Sequence, residues 1–122
     1  MKKILIVDDQ REVRELVEVT LRAGDYQMFQ AENGERAIEI AIAEKPDLII
    51  MDVMMPGKLD GIESTRIIKN SSWIKDCIVI MLTAKGQVAD EKRGIEAGAD
   101  HYFIKPFSPL DLINKVEEVL GE

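Results

Sequence analysis

Asp47-Leu48-Ile49-Ile50-Met51-Asp52 is a run of four apolar residues closed at each end by a carboxylate. The run is too short for a helix, and its unbroken apolar character does not suit a strand with one wet face. It therefore reads as a strand buried on both sides. Working outward, residues 3–7 (KILIV) and 77–82 (CIVIML) have the same character. Residues 26–31 alternate more weakly, and residues 99–104 complete a set of five expected strands. Strands covered on both faces imply a parallel sheet with helices on either side.

The segments between the strands change period. Val13, Leu16, Val17, Thr20 and Leu21 recur as one face of a helix, with Gly24 placed for its C-terminal stop. Asn33 is suited to cap a second helix, whose expected inner face is Ala37, Ile38, Ala41 and Ile42 and which Pro46 ends. Asp60 and Glu63 form a capping-box pattern that opens a third helix, running to about Asn70. Ser108, Pro109 and Asp111 open the last helix, with Leu112, Ile113, Val116, Val119 and Leu120 facing in. Residues 86–97 are thin in apolar side chains, and Gly94 within them costs about 1 kcal/mol relative to Ala. This segment is expected to be a marginal helix and the most mobile of the five.

The 122 residues fit one domain, taken as residues 1–122. Such a chain buries roughly two-thirds of its unfolded surface, enough for a core without staples. No apolar run approaches the ~18 residues of a membrane span. The stretch between Lys2-Lys3 and Asp8-Asp9 is too short for a secretory signal. Cys77 is the sole cysteine, so no intrachain disulfide forms, and a reducing, cytoplasmic compartment is expected. Sixteen basic residues against 23 acidic ones give a net charge of −7, with the basic residues dispersed among carboxylates. That pattern argues against direct nucleic-acid binding, which needs a basic stripe. The six Met residues and Cys77 read as core filler. Trp73 and Ile74 read as local packing, and His101 as a residue without a chemical role.

In open α/β sheets, ligands bind beyond the carboxyl ends of the strands. Four of the five expected strands end there in polar residues: Asp8 and Asp9, Asp52, Thr83, and Lys105. Taken singly, each has a plainer reading. Asp8 and Asp9 can favour a helix N-terminus, Asp52 can be a solvated strand end, Thr83 a turn residue and Lys105 a surface lysine. Together they place three carboxylates, a hydroxyl and an ammonium on one edge. Two like charges ~4 Å apart repel by about 4 kcal/mol at an effective dielectric of ~20, so such a cluster calls for a cation or a neutralised carboxyl. Oxygen ligation with few protein ligands suits Mg²⁺, with Mn²⁺ a substitute. Lys105 and Thr83 suit an anion's oxygens, and an aspartate can form an acyl phosphate.

Asp8-Asp9, Asp52 with Met55-Pro56-Gly57 and Asp60-Gly61, Leu82-Thr83-Ala84, and Lys105-Pro106-Phe107 fall in one register across essentially the whole chain. This pattern resembles the receiver domain of two-component response regulators. The resemblance implies a flavodoxin-like sheet of order 2-1-3-4-5 doubly wound by five helices. It implies that Asp52 accepts a phosphoryl group from a phosphohistidine on a sensor histidine kinase or phosphotransfer protein. Asp9, Asp52 and the Met54 backbone carbonyl would ligate Mg²⁺, with Asp8 acting largely through water. Lys105 would contact the phosphoryl group, and Lys105-Pro106 would be a cis peptide. Thr83 and Tyr102 would respond together, switching the surface of helix four, strand five and helix five toward an output domain or partner protein, or toward a phosphorylation-dependent dimer. Met54 and Lys85 would tune slow self-dephosphorylation. One departure stands out: Lys58 and Leu59 both lie between Met-Pro-Gly and Asp-Gly, where the family usually has one residue.

Three other functions compete. An aspartate-nucleophile phosphohydrolase would carry a second Asp two residues after the first, and residue 54 is Met. A receiver-like interaction module that is never phosphorylated would typically lack part of the acid-Thr-Lys set, which is complete here. A nucleotide-binding flavodoxin-like protein would follow its first strand with a Gly-rich or Ser/Thr-rich loop, and here Asp8-Asp9-Gln10 stands in that place.

Overall fold

Each apolar run becomes a strand of one parallel sheet in the computed structural model, which describes residues 1–74, 76–84 and 88–121. The elements alternate as β1 (Lys2–Val7), α1 (Arg11–Leu21), β2 (Tyr26–Ala31), α2 (Gly34–Glu44), β3 (Leu48–Asp52), α3 (Gly61–Lys69), β4 (Ile78–Ala84), α4 (Val88–Ala97), β5 (His101–Lys105) and α5 (Pro109–Leu120). The strand order is β2-β1-β3-β4-β5, the flavodoxin-like arrangement. Among the described residues no helix is long and apolar enough to cross a membrane.

The unbroken apolar strands follow from two cores. Side chains alternate across a strand. Leu5, Val7, Ile49, Met51, Val79 and Met81 pack on one face with Ala37 and Ala41 of α2, Ile62 and Ile68 of α3, and Ala97 of α4. Ile4, Ile6, Leu48, Ile50, Ile80 and Leu82 pack on the other with Val17 and Leu21 of α1 and with Leu112, Val116 and Leu120 of α5. All five residues of β3 are buried. The edge strand β5 is half open, leaving Tyr102 and Ile104 40% and 43% exposed.

Some side chains face away from their expected positions. Leu16 and Ile42 lie outside, both more than half exposed. At about 100° per residue, Leu16 lies ~140° from Leu21 and Ile42 ~140° from Ala37, beyond the stripe the sheet covers. Ile40 packs inward instead. Trp73 is 73% exposed, with the Lys45 ammonium 5.2 Å from its ring centroid, while its neighbour Ile74 is buried. Met51, Met55 and Met81 fill the core, but Met1 and Met54 face solvent. Cys77 is buried one residue before β4 begins, and burial pushes its thiol up to about 11. β5 starts two residues later than expected, because the Ala99 N–H is still spent on the Gly94 carbonyl of α4, at 3.0 Å. Gly94 earns its place by packing: a Cβ there would run into the Met81 sulfur.

The helix caps match their sequence signals. Asn33 accepts from the Arg36 N–H at 2.8 Å, and Asp60 accepts from the Glu63 N–H at 2.8 Å. Asn33→Ala is expected to lower stability by about 1 kcal/mol, read as a shift in urea midpoint at constant slope. An unchanged midpoint would show that the cap is dispensable.

Candidate functional site

The register builds the site. Val7 pairs with Met51, so Asp8 follows β1 beside Asp52 at the end of β3. Asp52 pairs with Leu82, and Thr83 and Ala84 pair with Ile104 and Lys105. Asp8, Asp52, Thr83 and Lys105 thus meet at the carboxyl edge of the four contiguous strands β1, β3, β4 and β5. Carboxylate oxygens of Asp8, Asp9 and Asp52 lie within 4.8 Å of one another. Asp8 and Asp52 are buried, while Asp9 faces solvent.

Lys105 Nζ lies 3.0 Å from Asp8 Oδ2 and 3.0 Å from Asp52 Oδ1, donating to both. One ammonium does not balance three carboxylates. Burial, with Asp8 next to it, raises the Asp52 carboxyl to about 6, although Lys105 pulls the other way. Burial also works against the Lys105 ammonium, but its bonds to Asp8 and Asp52 outweigh that and hold its pKa above the ordinary value. The Lys105–Pro106 peptide is cis. Thr83 is buried, and its hydroxyl lies 3.5 Å from the Phe103 carbonyl, the outer limit of a hydrogen bond.

Two residues around the cluster support it in ways the sequence does not show, and one of them, Arg14, carries no signal there at all. Arg14, on α1, donates from Nη1 to the Asp8 carbonyl at 2.7 Å and from Nε to Gln30 Oε1 at 3.0 Å, tying the acidic turn to β2. No local pattern marks it, because its partners come from two other segments. Gly61 abuts the backbone of Asp52: any Cβ would overlap the Asp52 carbonyl oxygen. Its N–H donates to the Val53 carbonyl at 3.0 Å. The Asp-Gly pair at 60–61 was visible in sequence; its steric reason was not.

Met54 presents its side chain to solvent between buried Val53 and Met55. Lys58 is exposed, and the Leu59 N–H donates to Glu35 Oε1 at 3.1 Å. Tyr102 lies on β5, partly exposed. Lys85 falls outside the described residues.

The donor set is three carboxylates with no nitrogen or sulfur ligand among them. It carries excess negative charge and suits a hard dication such as Mg²⁺ better than a soft one. A buried carboxylate at the end of a central strand, next to a cation site and an ammonium, is equipped to accept a phosphoryl group.

Fold and site together define an open α/β module with a carboxylate cluster and an ammonium at the carboxyl edge of its parallel sheet. Residues 4–117 match the response regulator receiver domain family, and the chain belongs to it. The chain is 44% identical over 119 residues to the phosphate regulon transcriptional regulatory protein PhoB of Pseudomonas aeruginosa, covering 98% of this chain and 52% of that protein. It is 44% identical over 118 residues to the transcriptional regulatory protein ResD of Bacillus subtilis, covering 97% and 48%. The chemotaxis response regulator CheY4 of Vibrio cholerae superposes with a TM-score of 0.89 at 32% identity, covering 98% of each chain. The chain spans about half the length of the curated relatives it matches. Members of this family are signalling phosphoacceptors, not conventional enzymes.

Proposed function

We propose that Asp52 is the phosphoacceptor of a two-component signalling switch. An Asp52 carboxylate oxygen attacks the phosphorus of a phosphohistidine on a sensor histidine kinase or phosphotransfer protein. The P–N bond breaks, the imidazole leaves as the histidine side chain, and an acyl phosphate remains. The observation that carries this reading is the buried Asp52 carboxylate, 3.0 Å from the Lys105 ammonium and clustered with two further carboxylates. Asp8, Asp9, Asp52 and the Met54 carbonyl are the residues to hold Mg²⁺, with Mn²⁺ an alternative. When bound, the ion supplies positive charge to the phosphoryl oxygens. Lys105 neutralises an oxygen of the transferred group, in keeping with a reaction governed by positioning and charge.

The rest of the reading concerns output. Thr83 turns its hydroxyl toward the phosphoryl group, and Tyr102 changes rotamer with it. The α4–β5–α5 surface then shifts between two conformations already in equilibrium. The output is a following domain, a partner protein or a phosphorylation-dependent dimer, in the cytoplasm. This segment itself binds neither nucleic acid nor membrane. Slow hydrolysis of the acyl phosphate, tuned by Met54 and Lys85, resets the switch.

Intact-mass spectrometry after incubation with a small-molecule phosphodonor tests the chemistry. The expected result is one labile phosphoryl adduct that requires Mg²⁺ and disappears in Asp52→Asn. No adduct under any condition would overturn the reading in favour of a constitutive interaction module. Rapid turnover of a free phosphate ester would favour a phosphohydrolase.

A further inference from the structure

The loop of residues 53–60 joins the acceptor Asp52 to α3 and carries the Met54 carbonyl. Its start is firmly held. The Val53 N–H donates to the Leu82 carbonyl at 3.1 Å, the Val53 carbonyl accepts from Gly61, and the Met55 side chain is buried. Its far limb is different. Pro56, Gly57 and Lys58 are all exposed. Among the described residues, the one side-chain hydrogen bond to the stretch from 54 to 59 is that from the Leu59 N–H to Glu35.

The surface receiving that limb is shaped for it. Gly57 turns the chain with φ +106°, and a Cβ on it would point at Glu35 Oε2 from 3.9 Å, so the carboxylate lies beneath the turn. At Gly34, the first residue of α2, a Cβ would come within 2.8 Å of the Leu59 carbonyl oxygen. The missing side chain lets the loop backbone settle on the helix end. Glu35 follows in the first turn of α2.

We infer that Glu35 is a positioning residue for the phosphorylation site, acting through the Leu59 amide to hold the far limb of the loop whose start presents the Met54 carbonyl. This rests on the proposed role of Met54 as a metal ligand. A plainer role for Glu35 also exists, since an acidic side chain in a helix's first turn favours the dipole by its charge alone. The two roles separate chemically. The clamp needs an acceptor oxygen, which Gln keeps. The dipole effect needs the charge, which Gln loses.

The test is calorimetric titration of MgCl₂ into wild type, Glu35→Ala and Glu35→Gln, with amide hydrogen exchange read at Leu59. Glu35→Ala should weaken Mg²⁺ binding about fivefold, below the ~10–100-fold seen when a direct partner of a metal ligand is removed. It should also speed Leu59 exchange at least tenfold. Glu35→Gln should stay within twofold of wild type on both measures. A Glu35→Ala protein with wild-type Mg²⁺ affinity would overturn the clamp, as would a Glu35→Gln protein as weak as Glu35→Ala. Failure of the wild type to bind Mg²⁺ at all would overturn the underlying metal-site reading instead.

Discussion

Lys105→Met is expected to bind Mg²⁺ more tightly than the wild type while taking up phosphoryl groups ~10–100-fold more slowly. The two effects have one cause. The Lys105 ammonium donates to Asp8 Oδ2 and Asp52 Oδ1, both at 3.0 Å, so it occupies oxygens of the very cluster that suits a dication. Removing it leaves more negative charge for the metal to meet. Without metal, the same change strands two buried carboxylates. Charge-assisted hydrogen bonds contribute about 1.5–3 kcal/mol each, and removing one partner of a buried pair costs more than the pair stabilises. Asp52 relieves part of this by protonating, since Lys105 is what pulls its pKa down toward about 6. A stability loss of about 2–3 kcal/mol at pH 7 in EDTA follows. Met keeps most of the apolar stem, so lost packing contributes little. Saturating Mg²⁺ should recover the loss, because ligand at ~100 times Kd adds about 2.7 kcal/mol. The slower uptake reflects one charge-assisted contact missing from the transferred group. Calorimetric titration, urea denaturation with and without Mg²⁺, and the mass-resolved rate check all three effects. Weaker Mg²⁺ binding or an unchanged rate would refute the role given to Lys105.

The sheet was legible because its physics is local to short windows. A strand covered on both faces must be apolar throughout, and β1, β3 and β4 announce themselves that way. The edge strands do not: β5 alternates between half-buried and exposed, and its start depends on where α4 releases Ala99. Helix faces were legible only at their centres. Val17, Leu21, Ala37 and Ala41 are buried as read, whereas Leu16 and Ile42 depend on how far the sheet extends beneath the helix. The site divides the same way. Asp8, Asp52, Thr83 and Lys105 stand out because polar residues after apolar strands are conspicuous. Arg14 and Glu35 do not: Arg14 bridges the Asp8 carbonyl and the Gln30 side chain of β2, Glu35 holds the Leu59 amide of a distant loop, and nothing in the residues beside them records either pairing. Trp73 and Ile74, read alike as local packing, part ways: Ile74 is buried, whereas Trp73 lies on the surface against Lys45.

Asp52→Asn should make the metal-free protein more stable at neutral pH even as it removes the acceptor. Burial and Asp8 lift the Asp52 carboxyl from 3.8 to about 6. Keeping it ionised at pH 7 therefore costs the folded state roughly 3 kcal/mol relative to the unfolded chain. The sign follows from proton counts. Between about pH 4 and 6 the folded protein retains a proton that the unfolded chain has released, so stability falls as pH rises through that window. The penalty is absent below the window and complete above it. Asn removes the penalty but accepts more weakly from Lys105, leaving a net gain of about 1–2 kcal/mol, or roughly 4–8 °C in Tm. Thermal melts in EDTA should show that gain at pH 7.5 and its loss at pH 4. Saturating Mg²⁺ should invert the order at pH 7.5, because the wild type gains a bound ion where the variant has lost a ligand. A variant less stable than the wild type at pH 7.5 in EDTA, or a gap indifferent to pH, would show that Asp52 is not strained by its neighbours. The expected pattern would show instead that the fold bears a cost at this edge, one relieved by whatever positive charge or phosphoryl chemistry the site receives.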